Sequence, residues 1–468
     1  MLGVVAAAVS VAHMASAQQQ APPAGALPAI RPLSKATAIS TELLGAVSQV
    51  RALPDGRVLV NDNLGRKVVM FDAALTKSTI VADTTSATAN AYSSRAGGLI
   101  AYKGDSTLFV DPTSLSMLVI DPKGNVARVI SVPRPNDATS LIGGPNGTPG
   151  FDSQGRLVYR APPNFRIAPP APGANGPQFQ MPTFPESAAV IRIALDTRKV
   201  DTVAFLKIPK QNVQMTQTPN GGMSISTTIN PMPVVDDWAV TADGRVAMVR
   251  GQEYKIDWID IKGAVAGSNK IPFAWRHLDD STKVAFIDST KKAMEVLRQQ
   301  ALARQQAGGA GGPGMIALGP GGAAAAGFEA GAAMGMRMEI RMDGGGGRPE
   351  APKPGASNGA PAAGGPTNIS IPPLNFVNPS DLPDYAPPFT SGAVRGDLDG
   401  NIWIRTSNVV SGGSVYDIVN AKGELTDRVL LPAGRVIAGF GKGVVYMGVR
   451  DGTAGVRLEM APIRQATP

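Results

Sequence analysis

Charged and amide side chains recur at a nearly constant distance after the Asp-Gly and similar turns of this chain. Asn61, Arg160 and Arg405 each stand five residues after the glycine of such a turn. A strand that leaves a tight turn carries its fifth residue to the far end of the sheet, so these positions are expected to meet at one mouth of the molecule. The candidate site residues are Asn61, Asp62, Asp111, Arg160, Asp236, Arg250, Arg405 and Arg450.

Two kinds of chemistry fit such a mouth. Arginine guanidinium groups bind carboxylate, sulfate or phosphate groups through paired hydrogen bonds. The carboxylates of Asp62, Asp111 and Asp236 would instead suit a hard cation such as calcium. A third interpretation is structural: the arginines and aspartates pair with each other and tie neighbouring repeats together. The sequence leaves all three open, so the cofactor is unknown, with a divalent cation such as calcium as one candidate.

The composition excludes several kinds of site. The chain has 468 residues, no cysteine and two histidines, His13 and His277. Disulfides and thiolate chemistry are therefore excluded, and a histidine-rich metal site or a Ser-His-Asp triad lacks its residues. The net charge is +8, but the lysines and arginines are scattered among acids and form no basic run. No nucleic-acid partner is expected.

The elements that must position the candidate residues are repeated. The clearest copy is Leu-Pro-Asp-Gly-Arg-Val-Leu-Val-Asn-Asp at 53–62, followed by Lys-Val-Val-Met-Phe-Asp at 67–72. Asp-Gly between β-branched residues predicts a hairpin with a type I′ turn, in which both central residues need positive φ. Related units begin near residues 48, 97, 151, 238, 397 and 436.

Such units are too small to fold alone and must pack side by side. Six copies predict an all-β fold, a six-bladed β-propeller over 36–463 in which each blade is a small twisted antiparallel sheet. A strand within 36–41 would complete the last blade and close the ring, which removes an exposed sheet edge. Trp238, Trp258 and Trp403 lie within strands and are expected in the core.

Three stretches fall outside the repeat. Residues 161–187 and 209–233 are rich in Pro, Gly, Asn and Gln and are predicted to be long loops. The third lies between blades four and five and begins with a helix over 279–306. Residues 307–370 are dominated by Gly, Ala and Pro and are predicted to be a disordered insertion. The helical stripe expected to pack on the propeller consists of Val284, Ile287, Met294, Leu297 and Ala301.

The N-terminal residues indicate export. An apolar run over 2–14 is followed by Ala-Ser-Ala at 15–17, the pattern of a signal peptide with its cleavage site. Residues 1–17 are therefore predicted to be a signal peptide and 18–35 a flexible leader. The expected location is the periplasm or the extracellular space. The apolar run is too short to span a bilayer, so no transmembrane segment is expected in the mature protein.

The turn-and-strand pattern at 53–72 resembles the NHL-type six-bladed β-propellers, which include many exported bacterial proteins of unassigned function. The Leu-Pro-Asp-Tyr-Ala-Pro-Pro-Phe segment at 382–389, which precedes Asp-Gly-Asn-Ile-Trp at 399–403, is also similar to such propellers. The resemblance covers about 36–273 and 371–463. It implies a fold rather than an activity.

The wider superfamily implied by this resemblance holds several activities. Some members are gluconolactonases with a divalent metal held by Glu, Asn and Asp, some are amidating lyases with a histidine-bound zinc, and many are binding platforms. Two histidines cannot supply a zinc site of the lyase type. No metal-ligand set is carried over to this chain.

A strong repeat without a catalytic constellation predicts an exported binding or scaffold protein, monomeric and non-catalytic. The expected partner is an unknown protein or a small anionic ligand at the mouth lined by Arg and Asp side chains. The alternative is a metal-dependent hydrolase resembling gluconolactonases, which would use the acids expected at the same mouth.

Overall fold

The computed structural model is a six-bladed β-propeller, as the repeats predict. Each blade is an antiparallel sheet of four strands, and blade five carries one additional strand at its outer edge. The structure describes residues 27–85, 90–93, 97–163, 171–173, 176–178, 184–210, 212–217, 223–306, 375–452 and 455–464.

Two short strands precede the first blade: β1 (Ile30–Pro32) and β2 (Ala38–Ile39). Blade one consists of β3 (Gln49–Ala52), β4 (Val58–Asp62), β5 (Lys67–Phe71) and β6 (Ser78–Asp83). Blade two consists of β7 (Gly98–Ala101), β8 (Thr107–Asp111), β9 (Ser116–Ile120) and β10 (Val126–Ser131). Blade three consists of β11 (Gly150–Phe151), β12 (Leu157–Arg160) and, after a hairpin of β13 (Ala171–Gly173) and β14 (Gly176–Gln178), β15 (Ser187–Ile193) and β16 (Val200–Lys207).

A second hairpin, β17 (Asn212–Gln217) and β18 (Met223–Ile229), precedes blade four, which consists of β19 (Asp237–Val240), β20 (Val246–Arg250), β21 (Lys255–Ile259) and β22 (Val265–Gly267). Helix α1 (Asp280–Gln306) and β23 (Asn375–Phe376) follow. Blade five consists of β24 (Val394–Gly396), β25 (Ile402–Val410), β26 (Gly413–Val419) and β27 (Leu425–Pro432), and blade six of β28 (Arg435–Gly441), β29 (Val444–Asp451) and β30 (Gly455–Pro462). Short 3₁₀ helices lie at Lys103–Asp105, Pro135–Ile142, Gly144–Asn146 and Pro379–Asp381.

The first strand of each blade lies at the central channel, where neighbouring first strands such as β3 and β7 contact one another. Because the strands alternate in direction, the Asp-Gly turns all lie at one face of the ring. The turns between second and third strands and the connections between blades lie at the opposite face, here called the upper face. Both inserted hairpins and α1 belong to connections on the upper face.

The Asp-Gly turns differ from the predicted type I′ geometry. In the first copy the Leu53 and Gly56 backbones are joined by a hydrogen bond of 3.0 Å, and Leu53 N–H donates to Arg57 O at 2.8 Å. Only Gly56 has positive φ (86°), so Asp55 needs no left-handed conformation and instead accepts the Arg57 N–H with its carboxylate. This is a three-residue turn with a glycine bulge, which also suits the twist of a hairpin.

The N-terminal segment closes the ring. Strand β2 pairs antiparallel with β30 and supplies the fourth strand of blade six, as predicted. The leader predicted over 18–35 differs in its second half, because β1 pairs in parallel with β27 of blade five. Arg31 fixes this strand with hydrogen bonds of 2.9 Å and 3.2 Å from its Nε to the Asp427 carboxylate. Residues 1–26 and the predicted disordered insertion at 307–370 lie outside the described residues.

Helix α1 occupies the insertion where a helix is expected, but its buried face differs from the predicted stripe. Ile287 and Met294 are buried, whereas Val284 is 45% exposed. Lys283 is buried in its place, and its ammonium group lies 2.8 Å from the Asp384 carboxylate. The predicted stripe is therefore confirmed at Ile287 and Met294 and wrong at Val284, whose place in the first turn is taken by Lys283. No helix in the described part of the chain is both long and apolar enough to cross a membrane.

The two stretches predicted to be loops each contain a hairpin. Within 161–187 strands β13 and β14 pair, and within 209–233 strands β17 and β18 pair. Strand β18 also pairs in parallel with β23. The β-branched residues at 225–229 favour a strand in spite of the polar composition around them. As expected, the three strand tryptophans are buried in the core: Trp238, Trp258 and Trp403.

Candidate functional site

The ends of the second strands lie at the upper face, so the predicted register of the candidate residues is reproduced. Asn61 and Asp62 nevertheless have structural partners. Both are buried. The Asn61 amide donates to Gly97 O at 2.7 Å, which joins blade one to blade two. The Asp62 carboxylate accepts N–H groups of Gly45, Ala46 and Gly65 at 2.7–2.9 Å. These two side chains hold the backbone of the N-terminal segment and the adjoining turn.

Asp236 and Arg250 form an ion-pair network with Asp257. Arg250 lies 2.9 Å from the Asp236 carboxylate and 2.7 Å from that of Asp257. Burial alone would lower the pKa of Arg250, but its hydrogen bonds and charge interactions with the two aspartates outweigh burial and raise it. Arg250 also donates to Phe205 O of blade three at 3.0 Å. The structural interpretation, in which these charges tie neighbouring blades, fits this trio.

The other three predicted residues lie apart. Asp111 lines a cleft between blades one and two and binds the turn around it. The side chains of Arg405 and Arg450 make no hydrogen bond or ion pair with the described residues, and Arg450 is exposed. The eight candidates therefore share a face of the ring, but among the described residues only Asp236 and Arg250 are joined to each other by an ion pair.

Arg160 faces a buried carboxylate that the repeat pattern does not single out. Asp237 is the first residue of β19, on the innermost strand of blade four. Its carboxylate accepts the N–H of Trp238 at 2.9 Å and that of Val394 in blade five at 3.0 Å. Complete burial raises the pKa of Asp237 to about 6, an effect that the two N–H groups and the charge of Arg160 reduce. Burial in turn lowers the pKa of Arg160, opposed by the charge of Asp237.

A short segment that we call the cap, residues 142–147, covers the upper end of the channel. On one side the Gln49 amide of blade one donates to Ile142 O at 3.1 Å and accepts the N–H of Leu99 in blade two at 2.7 Å. Blade two approaches through a glycine: a Cβ on Gly98 would lie 2.5 Å from the Cα of Ile142. The first two blades thus hold one end of the cap.

The other end of the cap is held by blades three to five. Asn146 accepts a hydrogen bond from Arg160 through its side chain and one from Trp238 Nε1 through its backbone, the latter at 2.9 Å. Pro145 lies against Gly392 at the entrance to blade five. The cap therefore places Asn146 against Arg160 and Trp238. Asp237 is buried beside Trp238, whereas Arg160 is half-buried.

The sequence indicates the Arg160 and Asp237 site and the cap only weakly. Asp237 directly follows Asp236, and strand alternation points neighbouring residues to opposite faces, so one of the two had to face inward. The cap corresponds to the run Gly-Gly-Pro-Asn-Gly at 143–147. Its contacts with residues nearly a hundred positions away have no local signature.

The residues present do not fit the metal site implied by the family resemblance. No group of three or more His, Cys, Asp and Glu side chains in the described ranges is arranged to hold a metal ion. At the mouth, the charge that acts on Asp237 is that of the cation Arg160, which cannot be a metal ligand. A metal-dependent step is therefore not assigned to this mouth.

Comparisons with known proteins show similarity at the level of the fold. No protein-family model and no curated protein matches the chain. Among solved structures it is similar to a gluconolactonase from Xanthomonas campestris, with 10% identity, a TM-score of 0.36 and coverage of 95% of this chain and 99% of the other. It is also similar to an aldose sugar dehydrogenase from Streptomyces coelicolor, with 11% identity, a TM-score of 0.36 and coverage of 93% and 99%. A third similar structure is the calcium-binding protein regucalcin from Agrobacterium tumefaciens, with 7% identity, a TM-score of 0.31 and coverage of 93% of this chain and 98% of the other.

These comparisons correct the main functional prediction. The matched propellers are named as a gluconolactonase, a sugar dehydrogenase and a calcium-binding protein, and none of the three is named as an NHL protein. The prediction of a non-catalytic binding or scaffold protein is wrong on this comparison, and the enzyme alternative is the better supported of the two. The six-bladed propeller is confirmed.

Proposed function

We propose that the chain is a hydrolase of small carboxylic esters, cyclic esters included, that acts at the upper mouth beneath the cap. The observation that carries the proposal is the buried Asp237 carboxylate, whose pKa of about 6 places its protonation change near neutral pH and on which the charge of the Arg160 guanidinium acts. A base with a pKa close to the working pH combines a useful ionised fraction with a strong tendency to accept a proton.

The proposed reaction uses Asp237 as the base and Arg160 as the oxyanion donor. The ionised Asp237 carboxylate takes a proton from water as the water oxygen bonds to the ester carbonyl carbon. The guanidinium of Arg160 stabilises the negative charge that develops on the carbonyl oxygen. When the tetrahedral intermediate collapses, the carbon–oxygen bond to the alkoxide breaks, and the alkoxide takes the proton from Asp237. The products are an acid and an alcohol, on one molecule when the substrate is cyclic.

The cap gives this site a closed form. With residues 142–147 in place, Asp237 is 3% exposed, so the charges act in a medium of low dielectric constant. Substrate entry then requires the Asn146 contacts with Arg160 and Trp238 to break. Arg160 would exchange the neutral Asn146 oxygen for the charged oxyanion, a stronger hydrogen-bond acceptor.

Activity against a lactone panel tests the proposal through two variants. Asp237→Asn removes the base while keeping the shape, and we expect kcat to fall by about 10²–10⁴. Arg160→Gln removes the oxyanion donor, and we expect a loss of about 10²–10³. For the wild type, kcat/KM should rise with pH through about 6 and then level off, because only the ionised Asp237 accepts a proton.

Asp417→Asn is the matched control. Asp417 is also a buried carboxylate, bound to Tyr254 Oη at 2.7 Å and to Arg428 Nε at 3.2 Å, but it lies in the third strand of blade five, away from the channel. This variant should lose stability and keep the pH profile. No lactone or ester turnover by folded wild-type protein, or the same turnover in Asp237→Asn, would overturn the proposal.

We further propose that the protein is exported and belongs to the NHL-type group of propellers. The apolar run and Ala-Ser-Ala at 15–17 support export, and the repeated Asp-Gly hairpins support the group. Expression in a bacterial host followed by N-terminal sequencing of the envelope fraction tests export. We expect a mature N-terminus near Gln18, and a protein retaining Met1 in the cytoplasm contradicts it.

A further inference from the structure

A cleft of about 580 Å³ opens at the upper face between blades one and two, away from the Asp237 mouth. One wall comes from the turn of blade one at Arg66 and the connection at Tyr92 and Ser93. The other comes from the turn of blade two, with Asp111, Ser114 and Ser116. Its size is within the range of small-molecule sites, and its polar groups converge from separate turns.

The Asp111 carboxylate fixes the hydroxyl groups of the cleft. It accepts the Ser93 hydroxyl and N–H at 2.8 Å and 2.9 Å and the Ser114 hydroxyl at 2.8 Å. Since the Ser114 hydrogen is committed to Asp111, the 2.6 Å contact between Ser114 and Ser116 is donated by Ser116. Ser93 and Ser116 therefore keep lone pairs that can accept hydrogen bonds from a ligand.

The charge state of Asp111 supports this arrangement. Burial would raise the pKa of Asp111, but the Ser93 N–H and the Ser114 and Ser93 hydroxyls outweigh burial and lower it. The carboxylate is thus ionised and accepts hydrogen bonds only. Tyr92, which lines the cleft, is held in place by edge-on packing against Phe109, with 4.7 Å between the ring centroids.

Arg66 supplies the complementary donor. Its side chain is exposed and forms no hydrogen bond or ion pair with the rest of the described chain. A guanidinium at the rim of a cleft favours an anionic group, which it can bind with two hydrogen bonds. The acceptor oxygens of Ser93 and Ser116 favour a ligand that also carries hydroxyl donors.

We propose that this cleft binds a small hydroxylated anion, with the anionic group on Arg66 and hydroxyl groups on Ser93 and Ser116. A sugar acid and a sugar phosphate share this chemistry. The site is separate from the proposed hydrolytic mouth, so binding here does not depend on Asp237.

Titration calorimetry with four probes tests the proposal: D-glucuronate, glucose 6-phosphate, glucose and acetate. We expect at least one hydroxylated anion to bind about tenfold or more tightly than glucose and acetate. Glucose lacks the anionic group for Arg66, and acetate lacks the hydroxyl groups for Ser93 and Ser116. Preference between the two anions identifies the carboxylate or the phosphate as the source. Equal binding of glucose and the anions, or no binding of either anion at millimolar concentration, overturns the proposal.

Point variants test which residues bind the anion. Arg66→Gln should lower the affinity for the anion about tenfold, and Ser116→Ala should lower it less while leaving the affinity for acetate unchanged. Arg128→Gln is the matched control: Arg128 is exposed on blade two, and its neighbour Val129 lines the cleft, so Arg128 points to the opposite face. Arg66 is exposed, so its loss does not threaten folding. Unchanged affinity in Arg66→Gln overturns the assignment, and unchanged affinity in Asp237→Asn confirms that the cleft is independent of the mouth.

Discussion

At the scale of single residues, Asp237 is notable because its burial is only partly compensated. Its carboxylate receives N–H groups from two blades, and Arg160, whose charge lowers its pKa, donates to Asn146 instead of to Asp237. Arg250, by contrast, pairs directly with Asp236 and Asp257. Asp237 has no such ion pair with the described residues, and its burial raises its pKa to about 6.

This difference makes stability depend on pH with a definite sign. The pKa of Asp237 is raised from 3.8 to about 6, so between these values the folded protein binds more protons than the unfolded chain. The Asp237 contribution to stability therefore falls as pH rises from about 4 to about 6 and is constant above, by on the order of 3 kcal/mol. Relative to Asp237→Asn, we expect the wild type to lose roughly 2 kcal/mol between about pH 4.5 and 7.5, measured by urea denaturation.

Asp243→Asn is the opposite-sign control for this measurement. Burial would raise the pKa of Asp243, but hydrogen bonds from Thr241 and Arg245 outweigh burial and lower it. Its contribution is present above the ordinary pKa of 3.8 and is lost as pH falls below that value. The wild type should therefore keep a nearly constant advantage over Asp243→Asn between about pH 4.5 and 7.5 and lose it only below about pH 4. A wild-type advantage over Asp237→Asn that grows with pH would contradict the raised pKa.

At the scale of elements, the cap depends on glycines that let it approach the blades. Gly147 has φ of +86°, and a Cβ on it would lie 2.4 Å from Trp238 Nε1. Gly144 has φ of +80°, but a Cβ on it would meet no atom within 4 Å. Gly147→Ala therefore combines backbone strain with a collision, whereas Gly144→Ala adds strain alone.

We expect Gly147→Ala to destabilise the protein by about 2–4 kcal/mol and Gly144→Ala by about 1 kcal/mol. Urea denaturation of both variants measures the difference. Intrinsic tryptophan fluorescence should also change in Gly147→Ala, because the hydrogen bond from Trp238 to Asn146 breaks. Equal stability of the two variants would show that the cap is not held against Trp238.

The elements also show what the sequence can and cannot predict. Hairpins, blade order and the closing strand follow from local patterns, and all are present. The face of α1 is predicted from apolar spacing alone, which favours Val284. The structure buries Lys283 instead, because Asp384, one hundred and one positions away, neutralises it. The spacing of apolar residues along one helix cannot reveal a partner so far away in the sequence.

At the scale of the whole molecule, the site depends on the ring more than on any motif. Register along each second strand correctly brings the candidate residues to the upper face. Whether they form ion pairs, hold turns or face a cavity depends on contacts between different blades. Asp237 is buried by the cap from one blade connection and bound by Val394 from another blade. That convergence arises only when the ring is closed.

Neighbouring blades are joined by a few polar contacts in addition to apolar packing. On the lower face Arg57, which follows the first Asp-Gly turn, donates to Pro122 O of blade two at 2.7 Å. Arg156 does the same from blade three to Ile261 O of blade four, also at 2.7 Å. Because each blade is bound to the next around the closed ring, breaking the contacts between two blades also destabilises their neighbours. The blades are therefore expected to unfold together.

The joint where the chain closes on itself tests this view. Leu44 is 2% exposed and packs with Phe71 of blade one and with Tyr446 and Leu458 of blade six. We expect Leu44→Ala to destabilise the whole protein by about 2–4 kcal/mol, because it leaves a cavity between the first and last blades. The adjacent Leu43 is 38% exposed, and Leu43→Ala should change stability by about 0.5 kcal/mol or less. Calorimetry should show one cooperative transition shifted to lower temperature in Leu44→Ala. Separate transitions, or equal shifts in both variants, would mean that ring closure does not couple the blades.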